Sequence, residues 1–426
     1  MNVRRSVRAL RTVGVGVVAL GLLAVGCGAG SGGSADGKVT IRYSWWGAAD
    51  RAELIKKTIT LFEKKHPNIT VKTDFQEYGD FWTKFNTQAA GGNAPDVFQN
   101  SVAFLRKYGE KNLLLDLNTQ VKAGNLSLKD FRAGLEKAGD IDGKLLGVPV
   151  GGNTFALVYN PAEFKKVGVT PRLGWTWDEY NTAVKKISEA KDGLYGASDN
   201  GGVMYLYDLY LRQHGKAFFT ADKTLGFTED DLRQWWGDHL AANKAGDLVP
   251  AKKSEQVKPK SSVSADLSAS EFTWDNFLVR YGAETKTALA LAPIPTTDGK
   301  KTGQYISSLM LSGSARTKHP KEVAQFIDFM THDPGVGKIM GYNRGVLPTN
   351  AQFDAYTPTG VDAQVAAYEK EVAAAGVIEP ITPHPAGADV CEASLLRIYG
   401  EIAQGTTSVD KGVSTFFSEA KTALGS

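Results

Sequence analysis

One region near the N-terminus alternates strand patterns with helix patterns, and this alternation limits the fold more than any other feature. The stretch KVTIRYSW (38–45) has the alternating, β-branched pattern of a strand, and ITVKTDF (69–75) repeats it. Between them, residues 54–62 place their apolar side chains at helical spacing. A second helical stretch leads into a short buried strand within GGNAPDVFQN (91–100). Strands and helices in this order predict an α/β fold with a parallel sheet covered by helices.

Two adjacent tryptophans, Trp45 and Trp46, end the first strand. Adjacent side chains on a strand face opposite sides of the sheet, so the two cannot lie in the same core. Trp45 continues the face of Tyr43 and is predicted to be core. Trp46 stands at the carboxyl end of the strand, where ligands of such sheets bind, and is predicted to face a crevice. The alternative is that both pack against the following helices. A second pair, Trp235 and Trp236, lies in a helical pattern and is predicted to be core.

Residues 1–26 have the pattern of a secretory signal. Four arginines precede an apolar run, Val13–Val25, that is too short to span a bilayer as a stable helix. The run ends in LAVGC, which resembles the bacterial lipobox, whose cysteine (here Cys27) becomes the lipid-modified first residue of the mature protein. The alternative is an ordinary secreted protein. Residues 27–37 are rich in Gly and Ser and are predicted to form a flexible tether to the membrane.

Charge and cysteine content exclude two further classes. Removing the four arginines of the signal leaves 45 basic residues against 46 acidic ones, and no basic block with interleaved aromatic residues is present. The sequence therefore carries no nucleic-acid footprint. With Cys27 acylated, Cys391 has no partner, and no disulfide framework is expected. The roughly 400 residues that follow the signal are sufficient for two domains with cores of their own.

The motifs of the common enzyme and metal sites are missing. The six histidines form no H-x-x-H or H-E-x-x-H pair, and there is no C-x-x-C, phosphate-binding loop or G-x-S-x-G. Asp178 and Glu179 are neighbouring carboxylates that could suggest a glycosidase, but Thr176 and Glu179 have the spacing of a capping box. A glycosidase also needs two carboxyls that face each other across a cleft. We therefore expect no catalytic residue, metal or cofactor.

Six segments resemble the family 1 extracellular solute-binding proteins, relatives of the maltose-binding protein that serve bacterial ABC importers. The segments are FEKKHPNITV, TQAAGGNAPDV, LGVPVGGNTFALVYN, TWDEY, HPKEVAQFIDFM and GYNRGVLPT. They are spread over nearly the whole mature chain, and the segment around Tyr159–Asn160 is the most specific of them. This resemblance implies a monomeric binding protein with ABC permease subunits as partners.

The resemblance also implies a periplasmic-binding-protein-like fold, in which a hinge joins two α/β lobes with the ligand cleft between them. The expected boundaries are 38–150 and 302–345 for lobe one, and 151–301 and 346–426 for lobe two. The sequence supports the crossings independently, because GVPVGG and LAPIPTTDGKKTG are rich in Gly and Pro. Segments of this composition are suited to a hinge, where backbone angles change as two rigid bodies move.

A sugar presents hydroxyls around apolar ring faces, so its site needs flat aromatic side chains and polar partners such as Asp, Asn, Gln or Arg. The candidates lie near predicted strand ends and crossings: Trp46, Gln88, Asn100, Tyr305, Ser307 and Arg344 on lobe one, and Asn153, Tyr205, Tyr207, Trp274 and Asp275 on lobe two. For each of them, core packing or surface decoration is the alternative.

The sequence thus predicts a lipid-anchored extracytoplasmic protein that captures a sugar, with an oligosaccharide as the expected class, for an ABC importer. Two alternatives are a surface glycan-cleaving enzyme and a binding protein for a polyamine or an iron complex. A polyamine cleft should be ringed with carboxylates, and a ferric site should show clustered Tyr or His. Neither pattern is apparent in the sequence.

Overall fold

The computed structural model describes residues 37–47, 49–132, 135, 137–190, 193–299, 304–380 and 384–425. For residues 50, 304–308 and 378–380 it describes the backbone alone. The predicted signal, the lipid-modified Cys27 and nearly all of the predicted tether lie outside these ranges, so they stay predictions.

Strands and helices alternate over the first part of the described chain, as the sequence predicts. The strands are β1 (Val39–Trp46), β2 (Ile69–Gln76), β3 (Val97–Ser101), β4 (Asp140–Ile141), β5 (Lys144–Leu145), β6 (Val148–Tyr159), β7 (Ser270–Trp274), β8 (Ala290–Ala292), β9 (Gln304–Gly313) and β10 (Ile378–Pro380). The bounds of β1 and β2 agree with the predicted strands to within one residue, and β3 begins within the predicted segment 91–100.

Helices cover the sheet and make up most of the C-terminal half. In chain order they begin with α1 (Ala49–Lys65), α2 (Tyr78–Ala90), α3 (Val102–Glu110), α4 (Asn118–Lys122), α5 (Pro161–Lys166), α6 (Trp177–Glu189), α7 (Met204–Gln213), α8 (Glu229–Ala245) and α9 (Ala251–Val257). They are followed by α10 (Phe277–Glu284), α11 (Pro320–His332), α12 (Pro334–Met340), α13 (Asn350–Ala355), α14 (Gly360–Ala374), α15 (Ala388–Ala403) and α16 (Val409–Leu424).

The main sheet is mixed rather than wholly parallel. Its strand order is β2-β1-β3-β9-β6-β7, with β10 also paired to β9 and β8 also paired to β6. β1 runs parallel to β2 and β3, as expected for strands joined by helices. β9 runs antiparallel to β3 and β6, and β6 runs antiparallel to β7 and β8.

Two long strands, β6 and β9, connect two groups of shorter strands. Residues 148–154 of β6 pair with β9, whereas residues 155–159 pair with β7. β9 likewise pairs with β10 through residues 304–306 and with β3 through residues 309–313. The Gly- and Pro-rich segment GVPVGG (147–152) pairs with residues 308–311 of β9 and leads up to the point where β6 passes from one group to the other.

The register of β6 against β9 shifts between Pro149 and Gly151. Here the chain comes close to a neighbouring loop, because a Cβ atom on Gly151 would lie 2.4 Å from the backbone oxygen of Arg344. Glycine therefore suits this position by its lack of a side chain. The predicted lobe boundaries at 150/151, 301/302 and 345/346 stay a prediction.

The two tryptophans that end β1 face opposite sides of the sheet, as predicted. Trp45 is fully buried in a cluster with Tyr43 and with Phe62 of α1. Trp46 belongs to a different cluster, with Phe81 of α2. The prediction that Trp235 and Trp236 are core is also confirmed, since they are 5% and 0% exposed.

Candidate functional site

Trp46 is the centre of a group of aromatic side chains that we call the Trp46 set: Trp46, Tyr78, Trp82 and Phe104. Tyr78 and Trp82 are four residues apart on α2, so both reach the end of β1 from one face of the helix. Their ring centroids each lie 5.4 Å from that of Trp46, and Trp82 stacks on Phe104 at 3.9 Å. Trp46 is 8% exposed, but Tyr78 is 47% exposed and gives the set an open edge.

A second group, the Trp274 set, consists of Phe155, Tyr205, Trp274 and His384. Phe155 and Trp274 are directly paired across the antiparallel β6–β7 ladder, which places both rings on one side of the sheet. Tyr205 of α7 packs edge-on against Trp274 at 5.1 Å and stacks on His384 at 6.0 Å. Burial lowers the pKa of His384 to about 4, so its imidazole is neutral near pH 7.

Glu392 belongs to α15, which packs against both α3, the helix of Phe104, and α7, the helix of Tyr205. Although Tyr78 is 47% exposed overall, partial loss of water around it is the main cause that raises the pKa of its hydroxyl, and the Glu392 carboxylate is the next. The same two causes, in the same order, raise the pKa of Tyr205. One carboxyl is therefore close to a hydroxyl of each set. We call the two sets together with Glu392 the aromatic site.

A salt bridge connects the helices on either side of this site. Lys107 of α3 pairs with Asp389 at the start of α15, and the two side chains are 22% and 15% exposed. The ammonium of Lys107 also lies 5.6 Å from the ring centroid of Phe104 and 5.8 Å from that of Tyr108. The pair therefore stands at the border of the Trp46 set, partly shielded from water.

Three of the residues predicted from the sequence meet in the aromatic site. Trp46 lies in one set, and Tyr205 and Trp274 lie in the other. Tyr205 and Trp274 are both partly buried, which leaves ring surface accessible. These three keep their predicted role as candidate ligand contacts.

Two predicted residues have structural roles instead. Asn100 is fully buried, and its amide donates to Ser312 Oγ at 3.0 Å and accepts from the backbone N of Ser101 at 2.8 Å. Tyr207 is fully buried and packs against Phe227 and Trp235. Because neither side chain reaches a surface, we remove both from the candidate set.

Asp275 is also fully buried and belongs to a carboxyl pair rather than to an open site. Its backbone N donates to Thr154 O at 3.0 Å, and Thr154 Oγ1 donates to Glu369 at 2.6 Å. Burial, followed by the nearby Glu369, raises the pKa of Asp275 well above its ordinary value. This pair is a part of the interior next to β6, and Asp275 is therefore removed from the set as well.

Asn153 and Arg344 lie together where β6 leaves β9, not in the aromatic site. Asn153 Nδ2 donates to Arg344 O at 3.4 Å, and Arg344 Nη2 donates to the hydroxyl of Tyr43 at 2.6 Å. The two side chains are 5% and 3% exposed. Their contacts fit a role in the crossing between the strand groups.

Of the remaining predicted residues, Gln88 lies far from Tyr78 of the aromatic site, and the side-chain contacts of Tyr305 and Ser307 stay untested. Gln88 lies ten residues beyond Tyr78 on α2, about 15 Å away along the helix axis. Tyr305 and Ser307 pair through their backbone with Glu379 and Asn153, and their side chains lie outside the described part of the structure.

Sequence reasoning missed six members of the aromatic site: Tyr78, Trp82, Phe104, Phe155, His384 and Glu392. A signal existed for the first two, because EYGDFW (77–82) places aromatic residues four apart at the start of a helix. Glu392 had no such signal, since a glutamate in a helix is ordinary until the neighbouring helices are placed.

A cavity of about 700 Å³ lies elsewhere, against α6, α7 and α8. Its wall includes Trp177, Tyr180, Tyr210, Trp235 and Phe272, and every lining residue falls within 177–297. It shares no residue with the aromatic site. We call it the helical cavity.

Metal chemistry has no support in the described ranges. They hold no group of three or more His, Cys, Asp or Glu side chains that could bind a metal ion. Thr176 and Glu179 form the predicted capping box, with Glu179 accepting from the backbone N of Thr176 at 2.8 Å. Glu179 therefore caps α6 rather than facing a second carboxyl.

None of the helices that the structure describes combines the length and the apolar character needed to cross a membrane.

Comparison with known proteins agrees with this architecture. The chain is 25% identical over 318 residues to the multiple sugar-binding protein of Streptococcus mutans, covering 70% of this chain and 72% of the relative. It is also 25% identical over 352 residues to an uncharacterized lipoprotein of Streptomyces antibioticus, covering 78% of this chain and 74% of that one. An ABC substrate-binding protein of Listeria monocytogenes, solved with cycloalternan, superposes with a TM-score of 0.80 at 19% identity, covering 91% of this chain and 99% of that one.

The family model for bacterial extracellular solute-binding proteins matches residues 40–336, which is more than half of the chain. The fold is accordingly the mixed α/β fold of periplasmic solute-binding proteins of the maltose-binding-protein type. The chain belongs to the bacterial extracellular solute-binding protein family.

Proposed function

We propose that this chain binds a sugar, with an oligosaccharide as the expected class, outside the cytoplasm and delivers it to an ABC importer. The family is non-catalytic, and the chain is a binding protein rather than an enzyme. Partner permease subunits and a carbohydrate ligand follow from this role.

The observation that carries the proposal is the aromatic site. Two sets of flat rings flank one carboxyl, which is the combination that sugars need for their apolar ring faces and their hydroxyls. Tyr78 and Tyr205 add hydroxyl groups near Glu392. A relative that is named for multiple sugars and a structural neighbour solved with a cyclic oligosaccharide support the same ligand class.

Delivery requires that loaded and empty protein differ in shape. In the proposed mechanism, the predicted lobes rotate about the segments where β6 and β9 pass between the two strand groups. A sugar that touches both the Trp46 set and the Trp274 set favours the closed form by its greater affinity for that form. An importer that recognises the closed form then responds to the loaded protein.

The membrane anchor is a proposal that rests on the sequence. LAVGC resembles a lipobox, and the Streptomyces antibioticus relative is described as a lipoprotein. Acyl chains contribute about 0.8 kcal/mol per buried CH₂, so a modified Cys27 that carries more than one chain would hold the protein stably at the outer face of the membrane. Cys27→Ser is expected to release the protein into the medium with its sugar affinity unchanged.

A thermal-shift screen of the Cys27→Ser protein against mono- and oligosaccharides tests the ligand class. A sugar at 100 times its Kd should raise the free energy of unfolding by about 2.7 kcal/mol. Small-angle scattering on the best ligand should then show a smaller radius of gyration, and the sugar should be recovered unchanged after long incubation.

Each other outcome removes a defined part of the proposal. No shift with any saccharide contradicts the ligand class, and a shift with polyamines or iron complexes alone replaces it. Cleaved sugar moves the chain to the glycan-cleaving class. Saturation without compaction removes the two-lobe mechanism.

A further inference from the structure

Helix α15 begins with two carboxylates on one face. Asp389 and Glu392 are three residues apart, which places their side chains on the same side of the helix. Asp389 forms a salt bridge with Lys107 of α3. This side of α15 therefore faces α3 and the Trp46 set, and Glu392 faces them with it.

Glu392 has no cationic partner among the described residues. Burial, followed by the nearby Asp389 carboxylate, raises its pKa to about 7, and no positive group acts in the opposite direction. The neighbouring bases are paired or neutral. Lys107 pairs with Asp389, Arg212 forms a salt bridge within α7, and His384 is neutral near pH 7 because burial lowers its pKa.

The other polar groups around Glu392 are neutral. Tyr78 and Tyr205 have pKa values raised by burial, so both are phenols and not phenolates near pH 7. A ligand between the two aromatic sets therefore meets a carboxyl whose negative charge is not balanced by a nearby cation.

We propose that Glu392 makes the aromatic site selective for neutral and amino-bearing saccharides over saccharides that contain uronic acids. This inference rests on the proposed function and names the class of sugar. A neutral sugar donates its hydroxyls to the carboxyl, and an ammonium group adds a charge-assisted hydrogen bond. A second carboxylate in the same partly buried space is repelled by the unpaired charge of Glu392.

The test uses matched disaccharides in a gluco and a galacto series, each as its neutral, 6-amino and uronic form, so that the amine stays protonated at the pH of the test. Affinities are measured by titration calorimetry near pH 8, above the pKa of Glu392. In each series that binds, the uronic form should bind at least about tenfold more weakly than the neutral form, as expected for juxtaposed like charges. Glu392→Gln should reduce the ratio of amino to uronic affinity by about tenfold or more, because glutamine keeps the shape and removes the charge.

Glu255→Gln is the matched control, since it removes the same charge from an exposed side chain of α9. It should leave the ratio unchanged. A wild-type protein that binds uronic and neutral forms equally, or a ratio that Glu392→Gln leaves unchanged, overturns this inference alone. If no saccharide of any charge binds, the proposed function fails, and this inference fails with it.

Discussion

The aromatic site and the helical cavity are both rich in aromatic residues, but the chain builds them differently. The helical cavity comes from one continuous stretch, residues 177–297, and its polar groups are largely used within the protein. The indole N–H groups of Trp177 and Trp235 donate to Gln213 Oε1 at 2.8 Å and Gly201 O at 2.9 Å. The aromatic site gathers residues from Trp46 to Glu392.

This contrast between the helical cavity and the aromatic site shows that open volume alone does not identify a ligand site. In the part of the chain that the structure describes, Trp82 Nε1 and His384 Nδ1 are buried without a hydrogen-bond partner. Groups of this kind are costly to bury unless a ligand or water satisfies them. On this ground we propose the aromatic site, rather than the helical cavity, as the place of the ligand.

The largest expected effect is a loss of stability at Trp45, which lies next to Trp46 but on the opposite face of β1. Trp45→Ala should lower the free energy of unfolding by about 3–5 kcal/mol, because it removes a fully buried ring from the core. Trp46→Ala also removes buried ring surface, but it should in addition weaken sugar binding by about 2 kcal/mol, roughly thirtyfold, as expected for an aromatic anchor, whereas Trp45→Ala should leave the affinity unchanged. Denaturant unfolding and calorimetry separate the two effects, and the reverse pattern would assign the ligand to the other face of β1.

The next test compares the two aromatic regions directly. Trp274→Ala should weaken sugar binding by about 2 kcal/mol, because an indole ring of the Trp274 set no longer contacts the sugar. Trp177→Ala, in the wall of the helical cavity, should change the affinity by less than about twofold. Calorimetric titration of both variants with the same sugar decides between the regions. A larger loss at Trp177 would move the site to the cavity.

The charge of Glu392 should appear in the pH dependence of stability. Its native pKa of about 7 lies above its ordinary value of 4.5, so the native state holds more protons between these values. The stability that the protonated form contributes is fully present below about pH 4.5 and is lost as the pH rises through 7. The loss should be on the order of 2 kcal/mol in wild type and absent in Glu392→Gln.

Because His384 also titrates in this pH range, the contribution of Glu392 has to be measured as the difference between wild type and Glu392→Gln. Its native pKa is lowered to about 4, so its contribution to stability increases as the pH rises from about 4 to 6.5 and partly masks that of Glu392. Comparing wild type with Glu392→Gln in denaturant melts at several pH values cancels the histidine. A constant difference across the range would show that Glu392 is not desolvated.

The smallest expected effect concerns the salt bridge beside the aromatic site. Lys107→Met keeps the apolar stem over Phe104 and Tyr108 but removes the charge that pairs with Asp389, and should weaken sugar binding by about 1 kcal/mol. Lys56→Met removes an exposed pair with Glu53 on α1 and should have no measurable effect. Equal calorimetric results for the two variants would show that the bridge at α15 does not favour the liganded form.

Local patterns predicted the parts of the fold that local physics controls. The strand period of 2 placed Trp45 and Trp46 on opposite faces, and the spacing of Thr176 and Glu179 predicted a capping box. Both outcomes depend on residues within a few positions of one another. The resemblance supplied the family, which no local pattern could.

The same patterns could not identify which faces would stay open. Tyr205 and Tyr207 are two residues apart on a helix, about 200° around its axis, so only one of them could face the site. Asn100 lies on a central strand with both faces covered, which its own segment does not reveal. Glu392 becomes a candidate only in the structure, where α15 packs against α3 and α7, because the desolvation of its carboxyl depends on every neighbouring element.

The continuity of β6 and β9 has a mechanical consequence. Where the two strands pass between the strand groups, they pair with each other, with Asn153 opposite Ser307 and Gly152 opposite Ser308. Such a ladder bends out of its plane through small changes in many backbone angles, whereas sliding one strand along the other would break every hydrogen bond at once. Any motion of one strand group against the other therefore has a preferred direction, and these bonds give it an elastic restoring force. The empty protein should return to one resting angle instead of sampling a wide range.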